Sequence, residues 1–281
     1  MRSWIPCEAI CKPRIARRQL QLAAALFAVF FGLPAWTSFP PLNQKSVSLT
    51  VSAAISLKDA LDTLGPLYER EYPGSRVTFN YAGSGTLVHQ IEQGAPVDVF
   101  FSAAEKQMNQ LESERLILPD TRTDIVENAL VMISPSSEPS LHDLSGLTSP
   151  RIHSIALGKP STVPAGEYAK ETLDHLGLFG AIEKKIVYAK DVRAVLAYVE
   201  TGNADAGFVY RTDALTSSKV RIAATAPSGA HDPIVYPAAV LKGSRDPGAA
   251  RSFLAFLKGR EARAVFEKYG FLTAENQPKK N

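Results

Sequence analysis

Cysteine is scarce in this chain, whose 281 residues include only two. Both of them, Cys7 and Cys11, lie near the amino terminus, ahead of a long apolar run. If this leading segment is removed, the remaining chain has neither a disulfide nor a thiol for chemistry, which suits an exported protein that folds on its hydrophobic core. Because neither cysteine follows the apolar run, neither is expected to carry a lipid anchor.

A strong net charge is also lacking outside the amino-terminal segment. The formal charge of +3 comes from 31 basic and 28 acidic residues. Residues 1–37 contain five of the basic residues and one of the acidic residues, which leaves 26 and 27 and a net charge of −1. A body with this balance lacks the basic surface expected of a protein that binds nucleic acid or an anionic membrane.

The sequence lacks the motifs of common nucleotide-binding and hydrolytic enzymes. The run Ala82–Thr86 has neither outer glycine of a nucleophile elbow, and Val88 stands where a dinucleotide fingerprint needs its third glycine. No P-loop is present, and the five histidines show no metal-ligand spacing. An enzyme therefore stays open as an alternative class, with no catalytic constellation to support it.

The amino-terminal segment is typical of a secretory signal. Basic residues precede an apolar run from Leu20 to Trp36, which is near the upper length for a signal and slightly short for a membrane span. Small residues before the junction favour cleavage after Thr37. We therefore predict a signal peptide over residues 1–37 and a periplasmic location; the alternative is an uncleaved membrane anchor.

Strand-like and helix-like segments alternate along the rest of the chain, which predicts an α/β fold. The predicted strands are Val47–Ala53, Arg76–Tyr81, Val97–Ser102, Asn128–Ser134, Arg151–Leu157, Ile186–Ala189, Ala206–Tyr210 and Val235–Leu241. The pair Gly65-Pro66 is expected to kink or split the helix after the first strand. Periodicity alone does not choose between one large sheet and two lobes.

Two serines occupy equivalent places in this pattern. Ser56 and Ser84 each stand where a predicted strand ends and a predicted helix begins, the place where open α/β sheets bind their ligands. The free N–H groups and the dipole of a helix amino terminus favour an anion, and a serine hydroxyl adds a donor. The sequence thus predicts a site that binds a small anion through neutral donors; the alternative is that both serines are plain N-caps.

A family resemblance rests on several motifs taken together. Four segments carry it: SAAISLKDAL (52–61), YAGSGTLVHQIEQGAPVDVFFSA (81–103), VPAGEYAK (163–170) and DVRAVLAYVETGNADAGFVYRTDA (191–214). In this order and at this spacing they closely resemble the periplasmic molybdate-binding proteins of ABC importers, which are type II periplasmic binding proteins. The resemblance extends from about Ser46 to Phe271.

This resemblance implies an α/β fold of two lobes, each a mostly parallel sheet flanked by helices, joined by two crossover strands. Lobe I would comprise residues 46–126 and 237–281, lobe II residues 127–236, with the ligand cleft between them. The implied function is capture of molybdate and tungstate and delivery to an ABC-type molybdate permease in the inner membrane. A monomer is expected, without cofactor, enzymatic activity or nucleic-acid partner, and molybdenum would enter only as the oxyanion.

The resemblance also assigns the groups that hold the oxyanion. Ser56 and Ser84 match the two serine hydroxyl donors. Ala165 and Val192 match residues that donate through their backbone N–H groups, and Tyr210 matches a tyrosine hydroxyl donor. For the two backbone donors the alternative is an ordinary helix start, and for Tyr210 it is a half-buried packing role.

Neighbouring residues have expected roles as well. Gly83 and Gly85 flank the second serine, where they remove auxiliary hydroxyls found in many relatives but let the backbone approach closely. Asp191 is predicted to cap its own helix rather than to face an anion. Arg193 is expected to be solvated or to bridge the lobes, with direct anion contact as the alternative.

The chemistry of the anion fits such donors. Molybdate and tungstate are tetrahedral dianions without a proton at neutral pH, so a donor-only site satisfies all four oxygens. A protonated phosphate would turn its O–H toward donors, which costs about 1–3 kcal/mol. Sulfate and tungstate alone stay open as alternative ligands, because the sequence does not report the size of the cavity.

Overall fold

The structure, a computed structural model, describes residues 46–137 and 141–273, which contain ten β-strands and nine α-helices. The strands are β1 (Val47–Ala54), β2 (Ser75–Ala82), β3 (Val99–Phe101), β4 (Thr123–Glu127), β5 (Leu130–Pro135), β6 (Ile155–Gly158), β7 (Ile186–Ala189), β8 (Ala206–Tyr210), β9 (Val220–Thr225) and β10 (Val235–Val240). The helices are α1 (Lys58–Glu71), α2 (Ser84–Glu92), α3 (Glu105–Ser113), α4 (Pro164–His175), α5 (Phe179–Ile182), α6 (Val192–Glu200), α7 (Arg211–Ala214), α8 (Pro247–Leu257) and α9 (Arg260–Lys268). The predicted signal peptide and both cysteines lie outside the described residues. No helix within the described ranges has the length and apolar character needed to cross a membrane.

The first sheet has five strands in the order β2-β1-β3-β10-β4. Strand β1 pairs in parallel with β2 and β3, whereas β10 pairs antiparallel with β3 and β4. Ala53 of β1 lies opposite Tyr81 of β2 and Phe101 of β3. The loops that follow these three strands therefore emerge side by side at one edge of the sheet.

The second sheet repeats this plan with the order β7-β6-β8-β5-β9. Strand β6 pairs in parallel with β7 and β8, and β5 pairs antiparallel with β8 and β9. Gly158 at the end of β6 lies opposite Ala189 at the end of β7. The loops after β6, β7 and β8 thus share an edge as well.

The chain passes between the two sheets twice, from β4 to β5 and from β9 to β10. The two passages are adjacent, because the Asn128 N–H donates to the Ile234 carbonyl at 3.1 Å. Helices α8 and α9 return to the first sheet, where Phe253 packs edge-to-face on Tyr68 and Phe266 on Phe101. The predicted two-lobed α/β fold is confirmed, with one sheet in each lobe.

Each sheet is mixed, with four strands in one direction and one reversed strand. The reversed strands, β5 and β10, each follow a passage between the lobes. Leu130, the first residue of β5, pairs with Tyr210, the last residue of β8. A strand that enters its sheet at the edge where its neighbour ends must run antiparallel to that neighbour, and this explains the reversal.

Pro66 does not split helix α1, which is continuous from Lys58 to Glu71. Of the two outcomes expected at Gly65-Pro66, a kink or a split, the split is wrong. An interior proline costs about 3 kcal/mol, but Leu61, Leu64 and Tyr68 on the same helix are fully buried. Each such burial contributes about 1.5–3 kcal/mol, so packing against the sheet outweighs the lost hydrogen bond.

Strands β4 and β9, each at one edge of its sheet, were not predicted from the sequence. Their sequences, TDIVE and VRIAAT, are short, and exposed or half-buried positions outnumber buried ones in both. With one buried residue each, these two strands lack the continuous apolar run that reveals a buried strand.

Candidate functional site

The five predicted site residues, far apart in sequence, line one small cavity between the lobes. Ser56 follows β1 and Ser84 follows β2, whereas Ala165, Val192 and Tyr210 lie at or just after the carboxyl ends of β6, β7 and β8. The cavity has a volume of about 10 Å³ and is lined by Ala54, Ile55, Ser56, Ala82, Gly83, Ser84, Ala103, Val163, Pro164, Ala165, Val192 and Tyr210. None of these twelve described side chains is charged.

The two serine hydroxyls are not used by their own helices. Leu57 and Gly83 cap α1 and α2, and neither cap involves a side chain. Instead, Ser84 Oγ accepts a hydrogen bond from the Ala103 N–H at 3.0 Å, and Ser56 Oγ lies 3.0 Å from Tyr236 Oη. The interpretation of the serines as N-caps is therefore wrong. Both residues are buried, and both line the cavity.

Two helix amino termini lie at the same cavity. Ala165 is the second residue of α4 and Val192 is the first residue of α6, so their N–H groups lie in first turns that lack a preceding helical carbonyl. Asp191 caps α6 by accepting from the Ala194 N–H at 2.8 Å, as predicted. Its carboxylate thus serves its own helix.

Tyr210 combines a packing role with a hydroxyl whose proton is directed at a backbone carbonyl of the other lobe in this structure. It is 1% exposed, and its ring meets the ring of Tyr236 edge-to-face at 5.7 Å. Its Oη donates to the Ala103 carbonyl at 3.3 Å. Burial raises the pKa of Tyr210 well above its ordinary value, so the hydroxyl keeps its proton and stays a donor at neutral pH.

The glycines beside Ser84 lie at a close backbone contact between the lobes. The Gly85 N–H donates to the Thr162 carbonyl of the other lobe at 3.0 Å. A Cβ at Gly85 would lie 2.7 Å from Thr162 Cα, and one at Gly83 would lie 3.0 Å from Thr162 O. The predicted close backbone approach is confirmed, and its partner is the loop that leads into α4.

Arg193 bridges the lobes, as predicted. Its guanidinium pairs with Asp59 on α1 of the first lobe and, at 2.5 Å between Nε and Oδ1, with Asp213 on α7 of the second lobe. Asp213 is fully buried, and burial raises its pKa to about 6 although the guanidinium acts in the opposite direction. The positive charge of Arg193 is thereby neutralised by carboxylates rather than offered to the cavity.

Three residues near the site were missed by the sequence analysis. Ala103 follows β3 and contributes to the cavity wall, and its place after the third parallel strand was a usable signal. Tyr236 and Asn128 lie behind Ser56, and Asn128 Nδ2 donates to Tyr236 Oη at 3.2 Å. Nothing in the local sequence connects these two residues to a serine 180 positions from Tyr236.

An uncharged, donor-lined cavity enclosed by two lobes is the arrangement of a solute-binding protein. The family model for bacterial extracellular solute-binding proteins matches residues 49–272. The chain belongs to this family, whose members bind solutes and are not enzymes.

Individual relatives agree with this membership. The chain is 46% identical over 234 residues to YvgL of Bacillus subtilis (strain 168), provisionally named an ABC transporter substrate-binding lipoprotein, covering 83% of this chain and 89% of that protein. It is 38% identical over 230 residues to the molybdate-binding protein ModA of Haemophilus influenzae, covering 80% and 90%. Among solved structures, the periplasmic molybdate-binding protein of Azotobacter vinelandii superposes with a TM-score of 0.72 at 29% identity, covering 80% of this chain and 99% of that chain.

Proposed function

We propose that this protein binds molybdate, and tungstate as well, in the cavity between its lobes. The observation that supports this proposal is the lining of the cavity. Residues from both lobes that can donate through a hydroxyl or a backbone N–H line it, and none of the described lining side chains is charged. The named function of the Haemophilus influenzae and Azotobacter vinelandii relatives supports molybdate as the ligand. Ser56, Ser84, Ala165, Val192 and Tyr210 are the proposed donors.

The chemistry of these donors favours an unprotonated dianion. Each N–H or O–H directed into the cavity stabilises an oxygen that carries negative charge, and hydrogen bonds to a charged partner contribute about 1.5–3 kcal/mol each. Neutral donors also avoid leaving an unpaired positive charge buried when the anion departs. Phosphate that retains a proton has no acceptor for it in such a site and is disfavoured.

Within this proposal the lobes open to admit the anion and close on it. Lobe I comprises residues 46–126 and 237–281, and lobe II comprises residues 127–236. The protein is exported by a signal peptide over residues 1–37, acts as a monomer in the periplasm, and passes the anion to an ABC-type permease in the inner membrane. Support for the permease comes from the ABC-transporter name of the Bacillus subtilis relative.

Titration calorimetry of the purified mature protein tests the proposal directly. Molybdate, tungstate, sulfate and phosphate are titrated separately in the same low-salt buffer. Saturable one-site binding of molybdate and tungstate, with weaker sulfate binding and no phosphate binding, is expected. Tight binding of phosphate, or no binding of molybdate, would contradict the proposal.

Molybdate should also stabilise the fold against heat. A ligand at 100 times its dissociation constant adds about 2.7 kcal/mol to the free energy of unfolding. For a chain of this size each 1 kcal/mol raises Tm by about 2–4 °C, so a rise of roughly 5–10 °C is expected. Differential scanning calorimetry with phosphate at equal concentration is the control, and an equal rise with both anions would argue against a donor-only site.

Tyr210→Phe should speed release of the anion. The change deletes one donor of lobe II and keeps the buried ring, so the lost contact forms only after the lobes have closed. Most of the affinity loss should therefore appear in the dissociation rate. Stopped-flow fluorescence on the wild type, Tyr210→Phe and the exposed control Tyr188→Phe measures this, and an unchanged dissociation rate would assign Tyr210 to packing alone.

A further inference from the structure

We infer that Asn128 and Tyr236 form a directed hydrogen-bond chain that orients the Ser56 hydroxyl as a donor to the bound oxyanion. This inference rests on the proposed function and adds two positioning residues to it, neither of which lines the cavity described above. In the chain, Asn128 donates to Tyr236, Tyr236 donates to Ser56, and Ser56 is left to donate to the anion.

The orientation of the Asn128 amide sets the direction of the hydrogen-bond chain. Its Oδ1 accepts from the Ala129 N–H at 2.9 Å, so its Nδ2 is on the side that faces the other partners. Nδ2 then donates to Thr212 Oγ1 at 2.9 Å and to Tyr236 Oη at 3.2 Å. Because an amide NH₂ can only donate, Tyr236 Oη must accept in this pair.

Tyr236 passes this direction on to Ser56. A phenol carries one proton, and burial raises the pKa of Tyr236 well above its ordinary value, so that proton is retained. With Asn128 donating to Tyr236 Oη, the proton is available for Ser56 Oγ at 3.0 Å. Ser56 then accepts from Tyr236, and its own proton is free to point into the cavity.

Ser84 reaches the same state by a different route. Its Oγ accepts from the backbone N–H of Ala103 at 3.0 Å, which can only be a donor. Each serine thus receives a hydrogen bond from the protein and keeps its own proton for the ligand. The difference is that Ser84 is oriented by backbone, whereas Ser56 depends on two side chains that substitution can remove.

The hydrogen-bond chain lies where the two passages between the lobes meet. Asn128 lies between β4 and β5, and Tyr236 lies at the start of β10, just after the second passage. Both side chains are buried, and the Asn128 N–H bonds to the Ile234 carbonyl. The hydroxyl of Ser56 is therefore oriented by elements that do not depend on contact between the faces of the two lobes.

A double-mutant cycle tests this inference. Tyr236→Phe removes the hydroxyl but keeps the ring that packs edge-to-face on Phe271 at 5.5 Å, and Asn128 Nδ2 keeps Thr212 as an acceptor. Molybdate affinity is expected to fall roughly three- to tenfold. The same change should have no effect in the Ser56→Ala background and its full effect in the Ser84→Ala background. Small-angle scattering at saturating molybdate should show wild-type compaction of Tyr236→Phe, since orientation and not closure is altered.

Three results would overturn the inference: an unchanged affinity of Tyr236→Phe, an equal loss in the Ser56→Ala background, or an altered compaction at saturation. If Tyr236→Phe does not fold, Asn128→Asp in the same two backgrounds replaces it. Its carboxylate would draw the tyrosine proton away from Ser56, so part of its effect must vanish in Ser56→Ala. Titration of the wild type distinguishes failure of this inference from failure of the proposed function. If the wild type does not bind molybdate, the proposed function is wrong. If it binds but the two substitutions have additive effects, only the inferred hydrogen-bond chain is wrong.

Discussion

Gly85→Ala is expected to weaken molybdate binding by roughly 5- to 150-fold while leaving the ligand-free protein folded. A Cβ at this position would lie 2.7 Å from Thr162 Cα and 2.9 Å from Thr162 O in this structure, with the two lobes in contact. Both are backbone atoms, so the clash cannot be relieved by a side-chain rotation. Overpacking of this kind costs about 1–3 kcal/mol, and the cost applies only when the lobes are closed.

Calorimetric affinity and small-angle scattering with and without molybdate measure this effect. Gly180→Ala is the matched control, because nothing lies within 4 Å of a Cβ at Gly180. The control should bind and close as the wild type does, whereas Gly85→Ala should bind weakly and compact less. Wild-type affinity of Gly85→Ala would mean that the Gly85–Thr162 contact is not part of the bound state.

Ser84→Ala is expected to lower molybdate affinity by roughly 10- to 150-fold. The serine is fully buried at the start of α2 and lines the cavity, so we expect its hydroxyl to donate to the anion. A hydrogen bond to a charged partner is worth about 1.5–3 kcal/mol, which corresponds to this range of dissociation constants. Removal of Oγ also leaves the Ala103 N–H without its acceptor, so a small loss of stability should accompany the loss of affinity.

Titration calorimetry and thermal unfolding of Ser84→Ala separate the two effects. The exposed Ser113, whose hydroxyl bonds only within its own helix end, supplies the control Ser113→Ala. Ser56→Ala should lose affinity to a similar extent. If Ser84→Ala binds as tightly as Ser113→Ala, the hydroxyl of Ser84 does not contact the anion.

Part of the proposed site could be predicted from local sequence, because the two serines lie where a strand ends and a helix begins. The break between a strand and the helix after it is visible in the residues around Ser56 and Ser84. The predicted strands Ile186–Ala189 and Ala206–Tyr210 have the same bounds in the structure. The cap at Asp191 followed from its residue type just ahead of an apolar helical stripe. These features depend on interactions within a few residues, and such interactions are encoded locally.

Other parts of the site depend on residues that meet only after folding. The sequence alone left open whether Arg193 is solvated or bridges the lobes, because its partner Asp59 is 134 residues away on the other lobe. Tyr236 lies beside Ser56 only because β10 inserts, reversed, between β3 and β4. The periodicity of neither segment predicts this contact, and neither do the residue types of Tyr236 and Ser56.

The sequence by itself determined the alternation of strands and helices, the two serines at strand ends and the family resemblance, from which the other three predicted donors follow. The tertiary structure alone decided the strand order, the reversed strands, the edge strands β4 and β9 and the chain from Asn128 through Tyr236 to Ser56. The physical reason is the range of the interactions. Hydrophobic periodicity, caps and turns act between near neighbours, whereas sheet order, lobe contact and the orientation of a hydroxyl proton arise from packing between distant segments.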